Sequence, residues 1–245
     1  MQVRTVHFRD LGRMEYAEAW DYQEKLLSAN LRLKSAALGM DAFPGAPLTQ
    51  DHLLFVEHSP VFTLGKSGDP QHVLIGPDER EQRGIQFINT NRGGDITYHG
   101  PGQLVGYPIL DLEHFFTDIG RYMRSLEEIL IRVLGDFAIQ AGRLPGATGV
   151  WLDPSDPIGA RKIAALGVRC SRWVTMHGFA LNVNTDLSYF RHIIPCGLSQ
   201  GQVTSMEKEL GNPVPMEEVK IRVRGHFEAV FGAVLREKEE VPAGS

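Results

Sequence analysis

With 245 residues, 42% of them hydrophobic and 22% charged, the chain has an ordinary soluble composition and enough length to bury a substantial core. A formal charge of −5 excludes a globally basic nucleic-acid binder, and two cysteines exclude a disulfide framework. No apolar run approaches the ~20 residues that cross a bilayer, and residues 1–12 lack the apolar core of a signal peptide. The expectation is a soluble, cytoplasmic protein with no nucleic-acid or membrane partner.

In chain order, residues 3–8 alternate as a first strand. Residues 14–35 carry Ala17, Trp20, Leu27 and Leu31 on one stripe, which predicts an amphipathic helix. Residues 36–50, with Gly39, Pro44, Gly45 and Pro47, read as a surface loop. Strands are expected at 51–56 and 61–64 around the Ser59-Pro60 break, and at 85–89. Gly65-Lys66-Ser67 lacks the upstream glycine spacing of a phosphate loop. Residues 117–142 place Tyr122, Leu126, Leu130, Val133 and Phe137 at helical spacing. A short strand at 149–152 precedes a predicted hairpin of 161–170 and 173–184. Val219, Val223, Phe227, Val230 and Val234 define a last helix. Helices mixed with mainly hairpin-connected strands indicate an α+β fold of mixed and antiparallel sheets flanked by helices. No interior linker separates domains, so residues 1–236 are expected to form one domain and 237–245 a charged tail.

The stretch 92–108, RGGDITYHGPGQLVGYP, is the focus of the chain. Glycine this dense costs about 1 kcal/mol per position in a helix, so the stretch predicts two strand pieces joined at His99-Gly100-Pro101-Gly102. Glycine also permits close approach of backbone to a ligand, leaving the interleaved polar residues to face what is bound.

Cys196, between Pro195 and Gly197, is presented on a turn and becomes a nucleophile if a nearby cation lowers its pKa. Cys170 reads as a small buried hydrophobe. Lys162, at the edge of the apolar run 163–167, is a candidate partner for the thiol. His99, His177 and His192 are competing bases, and spacing alone does not choose among them. No close-spaced pair of these histidines favours a metal site.

The stretch 92–108, the lysine followed by Ile-Ala-Ala-Leu-Gly (161–167), and HGFALNVNTDL leading to IIPCGL (177–198) together resemble the lipoyl(octanoyl) transferases. The resemblance runs from about residue 51 to 231. It implies a fold similar to the catalytic domains of biotin– and lipoate–protein ligases. It also implies a reaction: octanoyl passes from octanoyl-acyl carrier protein to a lysine of a lipoyl domain, in lipoate biosynthesis. The implied acceptors are the lipoyl domains of 2-oxoacid dehydrogenase complexes and the glycine cleavage H protein. By motif match Cys196 is the acyl-accepting nucleophile and Lys162 lowers its pKa. The implied substrate-lining residues are Arg92, Gly93, Gly94, Asp95, Ile96, Thr97, Tyr98 and His99, then Ala165, Leu166 and Gly167, then Gly178, Phe179 and Ala180. Leu166, Phe179 and Tyr98 are expected along an acyl channel, and oxyanion donors near Cys196 or at a turn around Gly178. No cofactor is implied. Arg92, Arg161, Arg169, Arg172 and Arg191 are candidates for a cationic rim that receives acidic partner proteins. Two alternatives stand beside this reading: an ATP-dependent lipoate–protein ligase of the same fold, and a non-catalytic acyl- or lipoyl-domain binding protein.

Overall fold

A computed structural model describes residues 4–39, 49–194 and 202–237. Its strands are β1 (Arg4–Arg13), β2 (Asp51–Glu57), β3 (Val61–Leu64), β4 (Gln86–Asn89), β5 (Ile96–His99), β6 (Gln103–Ile109), β7 (Gly142–Leu144), β8 (Ala147–Leu152), β9 (Arg161–Ser171), β10 (Val174–Asn182) and β11 (Ala233–Glu237). The helices are α1 (Tyr16–Gly39), α2 (Pro77–Gln82), α3 (Ile119–Asp136), α4 (Met206–Leu210) and α5 (Met216–Phe231). One sheet runs β11-β1-β2-β6-β10-β9-β8-β7, and a smaller one runs β4-β3-β5.

The run DHLLFV in β2 does not alternate because both faces of the large sheet are covered. Leu53 and Phe55 pack toward α3 and α5, while Leu54 and Val56 pack beneath α1. Helix α1 begins two residues later than the sequence implies and turns a different stripe inward. Tyr16, Ala19, Gln23, Leu27 and Asn30 are buried, whereas Ala17 is exposed. Two polar members of that stripe have identifiable work. The Asn30 amide donates to Gln50 O at 2.8 Å, and its Oδ1 accepts Gln50 N–H at 2.9 Å, closing the chain after the helix. Gln23 accepts a backbone N–H from β10.

Helix α3 starts where Asp118 caps it, accepting Arg121 N–H at 2.9 Å. It stops at Asp136, six residues short of the expected end, and the chain returns as the unpredicted strand β7. Val234, expected on the last helix, lies instead in β11. Gly232, at φ +63°, caps α5 in the left-handed region and turns the chain back along β1. Glu237, the first residue of the expected tail, therefore ends a paired strand.

The glycine-rich stretch follows its expected outline but joins two sheets. Its two strand pieces form where expected, but they do not pair with each other. Strand β5 pairs with β3 in the small sheet, and β6 lies between β2 and β10 in the large one. The turn at 100–102 thus carries the chain from one sheet to the other.

Candidate active site

A cavity of about 510 Å³ opens between the two sheets, walled by the glycine-rich loop, β6, β9 and β10. Loop 92–95 reaches it because backbone replaces side chains at three crossings. Gly93 N–H donates to Val168 O at 3.0 Å, and a Cβ on Gly167 would stand 2.8 Å from Gly93 O. A Cβ on Gly65 would stand 2.2 Å from Gly94 O, so only glycine fits there. Lys66 N–H and Ser67 N–H complete this crossing, donating to Arg92 O at 3.0 Å and Gly94 O at 3.2 Å.

Arg92 is buried, and its guanidinium ties this loop to the small sheet. It donates to Thr63 O at 2.6 Å, Thr63 Oγ1 at 2.9 Å and Gly93 O at 3.1 Å. Asp95 pairs with His72 Nδ1 at 2.7 Å. Of the residues carried by the family motifs, Arg92, Gly93, Gly94, Asp95, Ile96, Thr97, His99, Lys162, Ala165, Leu166, Gly167, Gly178, Phe179 and Ala180 all line the cavity. Tyr98 does not. Alternation along β5 turns it away, where its ring stacks on Tyr189 with centroids 4.7 Å apart and 4° between planes. Gly178 lies within β10, paired with Gly167, and not at a turn.

Buried Tyr16, His99, Tyr107 and His177 line the cavity, and His58 packs against the first three of them. His58 is held down to about 4 by burial, and His177 to about 3 by burial and then by Arg92. Burial likewise pushes Tyr16 up to about 12. His58 Nδ1 faces Met14 O at 2.9 Å, so that nitrogen carries the proton and Nε2 accepts from Tyr107 O–H at 2.7 Å. His177 sits at φ +58°, with its N–H given to Gln23 Oε1 at 2.9 Å and Nε2 on Asn91 Oδ1 at 2.8 Å. These neutral imidazoles accept and donate hydrogen bonds but hold no charge. His192, the third candidate base, ends the short 3₁₀ segment Leu187–His192 and does not line the cavity.

Lys162 also lines the cavity. Its Nζ lies 4.7 Å from the Trp151 ring centroid, and its stem passes over Gly149, where a Cβ would come within 3.1 Å of Lys162 Cε. Gly149 is held at φ +127° and gives its N–H to the buried carboxylate of Glu127 at 3.1 Å. The backbone of Lys162 is clasped on both sides: its N–H donates to Gln202 O at 2.8 Å, and its carbonyl accepts Thr204 N–H at 2.9 Å. Cys196 lies outside the described residues. The described residues flanking it are Ile194, whose N–H donates to His72 O at 2.9 Å, and Gln202, which meets Lys162.

The arginines expected on the rim are largely engaged. Arg161 forms a two-pronged pair with Glu209 at 2.7 and 2.6 Å, and Arg169 binds Glu24 at 2.6 Å. Arg172 and Arg191 remain exposed. Gln103, one of the polar residues of the glycine-rich stretch, and Asn182, which the sequence did not single out, line the cavity as a hydrogen-bonded pair at 2.8 Å. Both lie inside motifs already noted, and only strand pairing brings them together.

A family profile described as the lipoyl protein ligase A/B catalytic domain matches residues 15–228. The octanoyltransferase of Christiangramia forsetii is 51% identical over 236 residues, covering 95% of this chain and 98% of its own. That of Flavobacterium psychrophilum is 52% identical over 233 residues, covering 95% and 99%. Among solved structures, the bipartite lipoate protein ligase of Thermoplasma acidophilum, from a study with its E2 lipoyl domain, aligns with a TM-score of 0.65 at 17% identity. It covers 97% of this chain and 87% of that chain. That likeness concerns the fold, which is the α+β arrangement expected from the sequence.

Proposed function

Starting from the fact that the chain belongs to the octanoyltransferase family and is an acyltransferase, we propose that it carries octanoyl from octanoyl-acyl carrier protein to a lysine of a lipoyl domain through a thioester on Cys196. The acceptors under this reading are the lipoyl domains of 2-oxoacid dehydrogenase complexes and the glycine cleavage H protein. The observation that carries it is the cavity itself, with apolar walls from Leu166, Phe179 and Ala180 and with Lys162 in its lining. Lys162 is also the residue to which the chain returns immediately after the segment holding Cys196.

Cys196 thiolate attacks the carrier thioester and the carrier sulfur leaves with a proton from Lys162. The acceptor then reacts as its neutral amine. Its lone pair forms the C–N bond, the C–S bond breaks toward Cys196, and the displaced proton returns to Lys162. Thioester exchange is nearly balanced and amide formation runs downhill, so no nucleotide is consumed. The acyl chain contributes about 0.8 kcal/mol for each CH₂ the channel buries, which lets channel depth select chain length.

Intact-mass measurement after mixing with octanoyl carrier protein tests the reading. The expected result is one octanoyl adduct that hydroxylamine removes and that Cys196→Ser abolishes. An unmodified mass, with octanoylation of the lipoyl domain that requires ATP, would assign the protein to the ligases instead.

A further inference from the structure

The second half-reaction leaves one group unexplained. His99, 6% exposed, lines the cavity, and its Nδ1 lies 2.7 Å from Gln103 Oε1. The amide of Gln103 is oriented by two acceptors, since its Nε2 donates to Tyr98 O at 3.1 Å and Asn182 Oδ1 at 2.8 Å. Oε1 is therefore an acceptor, and Nδ1 must carry the imidazole proton. The remaining nitrogen, Nε2, makes no hydrogen bond to the described residues, and the ring it belongs to lines the cavity. The same chain of bonds continues to Lys162. Asn182 Nδ2 donates to Thr204 O at 3.0 Å, and Thr204 N–H donates to Lys162 O at 2.9 Å. Four hydrogen bonds thus join the His99 ring to the backbone of Lys162.

An imidazole with one nitrogen protonated by a fixed partner presents a directed lone pair on the other. In a cavity with apolar walls, that lone pair calls for a ligand N–H or O–H. The octanoyl chain has neither, whereas the acceptor amine has two N–H groups and must aim its own lone pair at the acyl carbon. We infer that His99 Nε2 accepts a hydrogen bond from the acceptor lysine amine and so orients it for attack, with Gln103 and Asn182 as positioning residues that hold the tautomer. This rests on the transfer reading above. Burial, and then His58 and Arg92, hold His99 well below the ordinary imidazole range, so Nε2 stays unprotonated while it does so. The proton released on attack still goes to Lys162; His99 aligns the amine and keeps no proton.

Two measurements on the full chain test this. With ¹⁵N-labelled histidine, NMR of the unaltered protein should show His99 protonated at Nδ1. The signal is assigned by its loss in His99→Phe, and protonation at Nε2 would overturn the inference. In single turnover, His99→Phe should slow decay of octanoyl-enzyme on adding lipoyl domain about 100-fold more than it slows formation of that species. Equal slowing of formation and decay, or no slowing of either, would overturn the inference alone. Failure of the unaltered protein to form octanoyl-enzyme would overturn the transfer reading and this one with it. Should His99→Phe not fold, Gln103→Met serves in its place. It keeps the ring but should shift the proton toward Nε2 and slow transfer, and a retained Nδ1 proton with unslowed transfer would refute the positioning role.

Discussion

Arg92 holds two carbonyls and a hydroxyl from one buried guanidinium, and those three acceptors belong to two different segments. A lysine ammonium keeps the charge but cannot span the same fork. Arg92→Lys should therefore lower stability by about 2 kcal/mol, read as a lower urea midpoint. An unchanged midpoint would mean the fork contributes nothing. That Arg92 matters was legible from its place before two glycines. Its inward direction was not, because a rim arginine and a buried bolt have the same letter. Tyr98 and His99 make the same point as neighbours. Period two sends them to opposite sides of β5, but only the pairing of β5 with β3 decides which side is the cavity.

At the scale of elements, the loop 92–95 is held as an extension of the small sheet, running against residues 65–68. The crossing leaves no room for a side chain at Gly65, whose Cβ would meet the backbone oxygen of Gly94. Gly65→Ala should cost about 1–3 kcal/mol and push the loop away from β9. Hydrogen exchange at the Gly93 amide, which is bonded to Val168 O, should then speed up. Protection equal to that of the unaltered protein would show that the crossing yields without consequence. The strand pieces at 96–99 and 103–109 were legible from their alternation. Their assignment to separate sheets was not, because a turn of three residues is equally at home inside a hairpin and between sheets.

Across the whole molecule, burial of neutral histidines makes stability pH-dependent. His58 and His177 are held at about 4 and about 3, and His99 lower than its ordinary value, while the unfolded chain titrates near 6.5. Below pH 6.5 the unfolded state binds more protons than the folded one, so the folded state loses ground as pH falls. Each such group contributes about 1.4 kcal/mol per pH unit between roughly 6.5 and its folded value. Urea midpoints should drop steeply from pH 7 to 5, and His58→Gln should flatten the slope. A flat profile over that range would show that these side chains titrate normally. No helix among the described residues is long and apolar enough to cross a membrane.

Local chemistry carried by the letters alone determined the class of fold, the β2, β3, β9 and β10 strands, the family and the stretch that lines the cavity. Periodicity, glycine density and motif spacing are properties of neighbouring residues, and neighbours are what a sequence displays. The tertiary structure decided that the glycine-rich stretch bridges two sheets, that Gln23 and Asn30 turn inward on α1, and that β11 follows α5. It also decided that the imidazoles lose their charge. Each of these depends on groups far apart in the chain being brought out of water together, and desolvation has no representation until the chain is folded.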